Sequence, residues 1–348
     1  MKIDRRSILA GLGATALGTS ALTLAPRFAH AASVKDSSGR VIETPDKVTR
    51  IFPAGPPAAI LLYTLAPDLM LGWTRAPSPA EREFLTPEAA AKPELGRITG
   101  RGNTANLEIV LAQKPDLILD VGSLNQTYVS LAERVRQQTG IPYALLDGRF
   151  DATAATYRLL GKLTGREERA EMLASYAEEV FRTVSQRIGA IPQAERPLVY
   201  YARGTRGLET GLGGSINVES IELLARNAAG GTKGGMANVS IEQVLTWNPD
   251  AIFTIEPAFA ENIYREPGWS ALAAVQNKRV YLSPRLPFGW IDFPPSVNRL
   301  IGLRWLGKIL YPERFPEDLN QITLDFYKRF YHVDLSEAQL ARVLSGRG

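Results

Sequence analysis

The stretch LEIVLAQKPDLIL at residues 107–119 returns as IEQVLTWNPDAIF at residues 241–253, every equivalent position displaced by 134. Two copies at so long a spacing exclude a short-period solenoid, which needs three or more stacked units. Each copy reads as an amphipathic helix with an acid at its second position, Glu108 or Glu242. A Lys/Asn-Pro-Asp turn and an apolar strand run follow. A duplicated α/β unit facing its partner across a cleft is the architecture this implies.

The rest of the chain alternates in the same way. Strand runs are predicted at 48–52, 69–73, 143–146, 198–202 and 279–282, and helices at 58–65, 126–138, 218–226 and 297–310. Two closing helices are predicted near 319–330 and 336–344. Such alternation predicts mainly parallel sheets covered on both faces. The turn PAGPP after the first strand lacks the G-x-G-x-x-G pattern, which argues against a dinucleotide site. Residues 78–102 are polar and rich in Pro and Gly, and read as a surface excursion with one helical turn. Residues 151–188 are long, helical and turn-poor, with Met172, Tyr176, Val180, Val184 and Ile188 as an apolar stripe and Asp151 as N-cap. This segment reads as a rigid rod between the two copies. The division expected is therefore a leader at 1–31, a first lobe at 32–150, a connecting helix at 151–189 and a second lobe at 190–348.

The leader is a cleaved export signal: Arg5 and Arg6, a weakly apolar run at 8–24, and the small-x-small site Ala29-His30-Ala31. Arg5-Arg6-Ser7-Ile8-Leu9 resembles the twin-arginine motif, so the Tat translocase is an expected partner during export and the periplasm the expected location. Removing the leader takes away Lys2, Arg5, Arg6 and Arg27 with Asp4, and lowers the formal charge from +4 to +1. The remaining basic residues are dispersed, which argues against a nucleic-acid partner. Cysteine is absent and His332 is the one histidine after the leader. A thiolate or His-rich metal site is excluded, and a Ser-His-Asp triad would depend on that one ring, which reads as a packing or surface residue.

Together LEIVLAQKPDLIL, VSIEQVLTWNPDAIF, LLGKLTGREERAEMLASY (159–176) and VQNKRVYLSP (275–284) resemble the helical-backbone (class III) periplasmic substrate-binding proteins of ABC importers for ferric siderophores, cobalamin and haem. RGTRGLETG and the segment 289–312 are similar to a branch that also includes molybdate and tungstate binders. The resemblance implies an α/β protein of two Rossmann-like lobes, with mainly parallel sheets joined by a single long α-helix and ligand held in the cleft between them. It further implies that Glu108 and Glu242 lie on the outer faces and meet arginines of the permease, although each acid also suits a helix start.

The cleft is expected to be lined by loops after the strands: Pro56, Pro57, Trp73, Arg75, Gly122 and Ser123 from the first lobe, and Arg203, Arg206, Glu256, Arg285 and Trp290 from the second. Arginine forks suit anions and flat ligands, and tryptophan adds apolar area with one donor. The competing reading places the tryptophans in the core and pairs the arginines with neighbouring acids. GLETGLGGS lacks a P-loop ending, though its glycines leave room for backbone N–H groups near an anion. The function expected is a monomeric, non-enzymatic receptor for a metal chelate, a ferric siderophore first, or for a molybdate or tungstate oxyanion, with no resident cofactor or metal. The alternative from another class is a Tat-exported, cofactor-dependent enzyme, against which stands the lack of a nucleophile elbow or metal-ligand spacing.

Overall fold

The computed structural model describes residues 32–100 and 106–347, so the leader and its cleavage point lie outside the described residues. An antiparallel pair opens it, β1 (Ala32–Lys35) and β2 (Val41–Thr44). Then come β3 (Ile51–Pro53), α1 (Pro56–Leu65), α2 (Pro79–Arg82), α3 (Pro87–Ala90), α4 (Leu107–Ala112), β4 (Leu117–Gly122), α5 (Gln126–Thr139) and β5 (Tyr143–Asp147). Strands β3, β4 and β5 form a parallel sheet in that order.

The strand expected at 69–73 shrinks to a bridge between Ile51 and Met70. Beyond Met70 the chain changes partner: Trp73 donates to the Pro93 carbonyl at 2.9 Å and accepts from Leu95 at 2.8 Å. Residues 78–100 are also less superficial than their polarity implies. They hold two short helices, capped by Ser78 and Thr86 with proline at the first turn, and bury Phe84 and Leu85.

The continuous rod expected at 151–188 is broken. A short turn at Phe150–Ala152 leads into α6 (Thr153–Thr164), Gly165 ends that helix at φ +66°, and α7 (Glu167–Ile188) is the long connecting helix. Gly165 takes the left-handed C-cap that glycine favours. A Cβ on Gly161 would lie 2.5 Å from that of Ala170, so α6 folds back tightly on α7. Arg158 of α6 reaches Glu171 and Glu178 of α7. The buried face of α7 is Ala170, Leu173, Ala174, Ala177, Val180, Val184 and Ile188, whereas Met172 is 41% exposed. A strict four-residue row drifts by about 40° per step against a 3.6-residue helix, which carries Met172 off the stripe.

The second half runs β6 (Leu198–Ala202), β7 (Glu209–Gly211), α8 (Glu219–Leu224), β8 (Arg226–Asn227), β9 (Met236–Asn238), α9 (Ile241–Trp247), β10 (Ala251–Thr254), α10 (Pro257–Asn262), α11 (Ala273–Gln276) and β11 (Val280–Leu282). Helices α12 (Arg299–Leu310), α13 (Leu319–Phe326) and α14 (Glu337–Leu344) follow. Its parallel sheet has the order β11-β10-β6-β8, and β7 pairs antiparallel with β9. Leu117, Leu119 and Val121 of β4 face a core that also takes in Val180, Tyr201 and Leu300, while Ile118 faces a separate cluster with Phe52 and Tyr143. Both faces of the sheet are thus buried, as parallel sheets require.

The repeat holds in three dimensions. Val110 and Val244 are both fully buried, and Lys114 and Asn248 both adopt positive φ, +45° and +43°. Asp116 accepts from the backbone N–H groups of Thr49 and Arg50, and Asp250 from that of Leu198, so each repeat aspartate pins the strand beside its own.

Candidate functional site

After β3 the chain steps towards Met70 and then returns to place β4 on the other side; after β6 it steps to β8 and returns to place β10 opposite. At such reversals the connections leave on opposite faces, and a crevice opens at the carboxyl ends of the two strands. Pro56 and Pro57 follow β3, and Gly122 ends β4 with Ser123 beyond it. Arg203 and Arg206 follow β6, Glu256 follows β10, and Arg285 lies just past β11. These eight residues named from sequence therefore stand at strand ends.

The other three have partners of their own. Trp73 is buried, donates its Nε1–H to the Ala89 carbonyl at 2.7 Å, and packs against Tyr63 and Phe288. Trp290 is fully buried against Trp305. Both are core residues, because each large ring finds apolar neighbours supplied by distant segments. Arg75 is exposed and pairs with Glu81 at 2.7 Å on the edge of the α2 turn.

The polar centre of the second crevice is Asp292, which the sequence reading missed. Its buried carboxylate accepts from the Arg203 guanidinium at 3.0 Å, Asn217 Nδ2 at 2.8 Å, the Phe293 N–H at 2.6 Å and the Tyr201 hydroxyl at 3.3 Å. Burial disfavours the Arg203 charge, but Asp292, Tyr201 and Glu209 outweigh it and raise its pKa. Burial, then Asp292, push the Tyr201 phenol well above its usual range. Four residues on, Ser296 Oγ donates to the Pro57 carbonyl at 3.0 Å, so this loop joins the second crevice to the first.

A second junction lies at Arg299, 2% exposed. Its guanidinium donates to Glu219 at 2.6 Å and to the carbonyls of Ile216 at 2.9 Å, Ser296 at 3.1 Å and Gly148 at 3.3 Å, and lies 4.4 Å from the Phe150 ring centre. Glu219 also accepts the Phe150 N–H at 3.2 Å. Burial works against both charges, raising the Glu219 pKa and lowering that of Arg299. No short-range signal marks Asp292 or Arg299, because the charged partners Arg203 and Glu219 lie some eighty to ninety residues away.

In the first crevice Asp120 is buried at the end of β4, accepting from Thr99 Oγ1 at 2.9 Å, Val121 N–H at 2.9 Å and the Tyr143 hydroxyl at 3.0 Å. Burial raises its pKa, only partly opposed by these bonds. Gly55 lies directly above, since a Cβ there would come within 2.5 Å of Thr99 Oγ1.

Two hollows elsewhere, a groove of about 680 Å³ along α7 and a recess of about 400 Å³ beside Asp147 and Arg149, are not lined by these strand-end residues. Their arginines are already engaged, Arg149 by Asp147 and Arg158 by two glutamates. Among the described residues no cluster of three or more His, Cys, Asp or Glu is arranged to hold a metal ion, and no helix is long and apolar enough to cross a membrane. Glu108 and Glu242 are exposed in the first turns of α4 and α9, behind the N-caps Asn106 and Ser240. The Glu242 carboxyl is held below its ordinary range by its own backbone N–H and the Ser240 hydroxyl.

Two parallel sheets joined by a long helix, each with a reversal of strand order, form the scaffold of a two-lobed solute-binding protein. The chain belongs to the periplasmic binding protein family, whose sequence profile matches residues 67–285. It is 26% identical over 272 residues to the molybdate-binding protein MolA of Haemophilus influenzae, across 72% of this chain and 77% of that one. Among solved structures it resembles an ABC transporter solute-binding protein of Sulfurospirillum deleyianum, with a TM-score of 0.82 and 31% identity over 90% of this chain and 99% of the other. The structure of molybdate-bound MolA shares the fold, with a TM-score of 0.72 at 23% identity over 88% and 99% of the two chains. These relatives are ABC-transporter binding proteins, which decides between receptor and enzyme in favour of the receptor.

Proposed function

We propose that the protein captures a small metal oxyanion of the molybdate or tungstate type between its two strand-end crevices and delivers it to an ABC permease. The observation that carries this reading is the loop from Asp292 to Ser296. At one end it holds Arg203, at the other it bonds the Pro57 carbonyl. Four residue steps span at most about 14 Å, so the crevices are held close together. A compact anion fits that spacing better than the wide chelate that the sequence alone puts first, and a molybdate-binding relative supports the same choice.

Arg206 and Arg285 supply positive charge on one side, while Arg203, whose charge is shared with Asp292 and Glu209, has its Nε–H left to donate. On the other, Pro56 and Pro57 have no N–H, so α1 acts through its dipole while Ser123 is free to donate a hydroxyl. Glu256 limits the net charge of the second crevice. The function requires no bond to be made or broken: enclosure and charge-assisted contacts provide affinity, and separation of the lobes on docking releases the anion.

The finer assignments belong to the same proposal. The lobes are residues 32–150 and 190–348, connected through α7, and the mature monomer begins after Ala31, having left by the Tat route for the periplasm. Glu108 and Glu242, matched by the repeat, exposed and rigidly capped, are its contacts with permease arginines.

Calorimetric titration of the leader-free protein with molybdate, tungstate, sulfate and a ferric catecholate tests the cargo. Saturable one-to-one binding of molybdate and tungstate is expected. Replacing Arg203 by alanine removes a charge-assisted contact of about 1.5–3 kcal/mol, a loss of roughly 10- to 150-fold. Tighter binding of the ferric catecholate than of either metal oxyanion refutes the reading.

A further inference from the structure

Phe293 is 59% exposed and holds φ +72°, a left-handed conformation that a bulky aromatic residue adopts only under compulsion. The compulsion is visible. Its N–H donates to the Asp292 carboxylate at 2.6 Å, its carbonyl accepts from Gly289 at 3.3 Å, and the next carbonyl, of Pro294, accepts from Asn298 Nδ2 at 3.1 Å. The core gains little from an exposed ring, and glycine would take this backbone without strain. A strained backbone, held by these bonds and carrying an exposed ring, marks a residue placed for contact.

Its place narrows the partner. Phe293 stands one residue after the carboxylate that grips Arg203 and three before the hydroxyl that grips Pro57, so the loop carries it across the gap between the two crevices. We infer that Phe293 contacts the bound oxyanion and sets the size of anion the cleft accepts, an inference that rests on the cargo proposed above. An aromatic ring offers an anion its electropositive edge, and its apolar bulk keeps water from the arginine contacts, which strengthens them. The same bulk narrows the space for a larger ligand. Phe293 is thus a specificity-determining residue, with Asp292 as the group that positions both it and Arg203.

The test compares wild type with Phe293→Ala, Phe293→Gly and Phe293→Tyr by calorimetry with molybdate, tungstate and sulfate, alongside thermal melting. The alanine and glycine variants are expected to lose roughly 10-fold in molybdate affinity and part of the molybdate-over-sulfate preference, while tyrosine retains both. The glycine variant, relieved of backbone strain, should melt no lower than wild type, which separates lost contact from lost structure. If wild type binds molybdate and both small variants match it in affinity and preference, the role of Phe293 is overturned and the cargo stands. If wild type binds neither molybdate nor tungstate, both fall together.

Discussion

Replacing Arg299 by methionine keeps much of the side chain's length and apolar stem but removes the buried cation that pairs with Glu219 in the junction with Gly148 and Ile216. Arg299 is 2% exposed and the Glu219 side chain 24%, so the carboxylate left behind is only partly rehydrated. Deleting one partner of a buried pair destabilises by about 3–5 kcal/mol, chiefly through the charge left unpaired. The lost contact with Phe150 and three carbonyls are part of that cost rather than additions to it. For a cooperative unit of 150–250 residues each kcal/mol lowers Tm by about 2–4 °C, which gives a fall of roughly 6–20 °C.

The pH dependence of this variant is also set. Without the cation, Glu219 in the folded protein is pushed still further above its unfolded pKa. The folded state then binds the proton more readily, so the variant regains stability as pH falls through that window and loses it as pH rises. Differential scanning calorimetry at pH 5 and pH 8 should show the larger deficit at pH 8. Adding Glu219→Gln should recover part of the loss, because no orphan charge remains. A single variant melting within about 2 °C of wild type at both pH values would refute the inference that this ion pair ties the halves together.

Asp120→Asn should keep the fold and remove a titration: with a raised carboxyl pKa, wild type loses stability as pH rises from the unfolded value through the folded one, and urea midpoints between pH 4 and 8 should show a shallower decline in the variant. Trp73→Phe deletes the Nε1–H bond to Ala89 and should destabilise by about 1–2 kcal/mol without changing ligand affinity, as a core position requires. A change in affinity would return Trp73 to the cleft. Replacing both Glu108 and Glu242 by alanine should leave affinity intact and abolish uptake; normal uptake would remove them from the docking surface.

What the sequence revealed followed from how local each signal is. The repeat was legible because a helix with an acid at its second position, a Pro-Asp turn and a strand recur within thirteen residues, and the strand-end loops follow from the alternation of strands and helices. The break at Gly165 carried a local sign, a glycine able to cap a helix, but it lay inside an otherwise continuous helical composition. Met172 was misplaced because a four-residue spacing slips on a real helix. The burial of Trp73 and Trp290 and the roles of Asp292 and Arg299 depend on partners tens to hundreds of residues away. For Asp292, sequence showed only an acid inside a proline-rich loop.

The resting place of the anion is the direct test of the proposed site. Crystals of the mature protein soaked with tungstate allow tungsten to be located by its anomalous scattering. A peak is expected between the carboxyl ends of β3 and β4 on one side and β6 and β10 on the other, within reach of Arg203 and Phe293. A fully occupied peak in the groove along α7, with nothing between the strand ends, would rule out the proposed site.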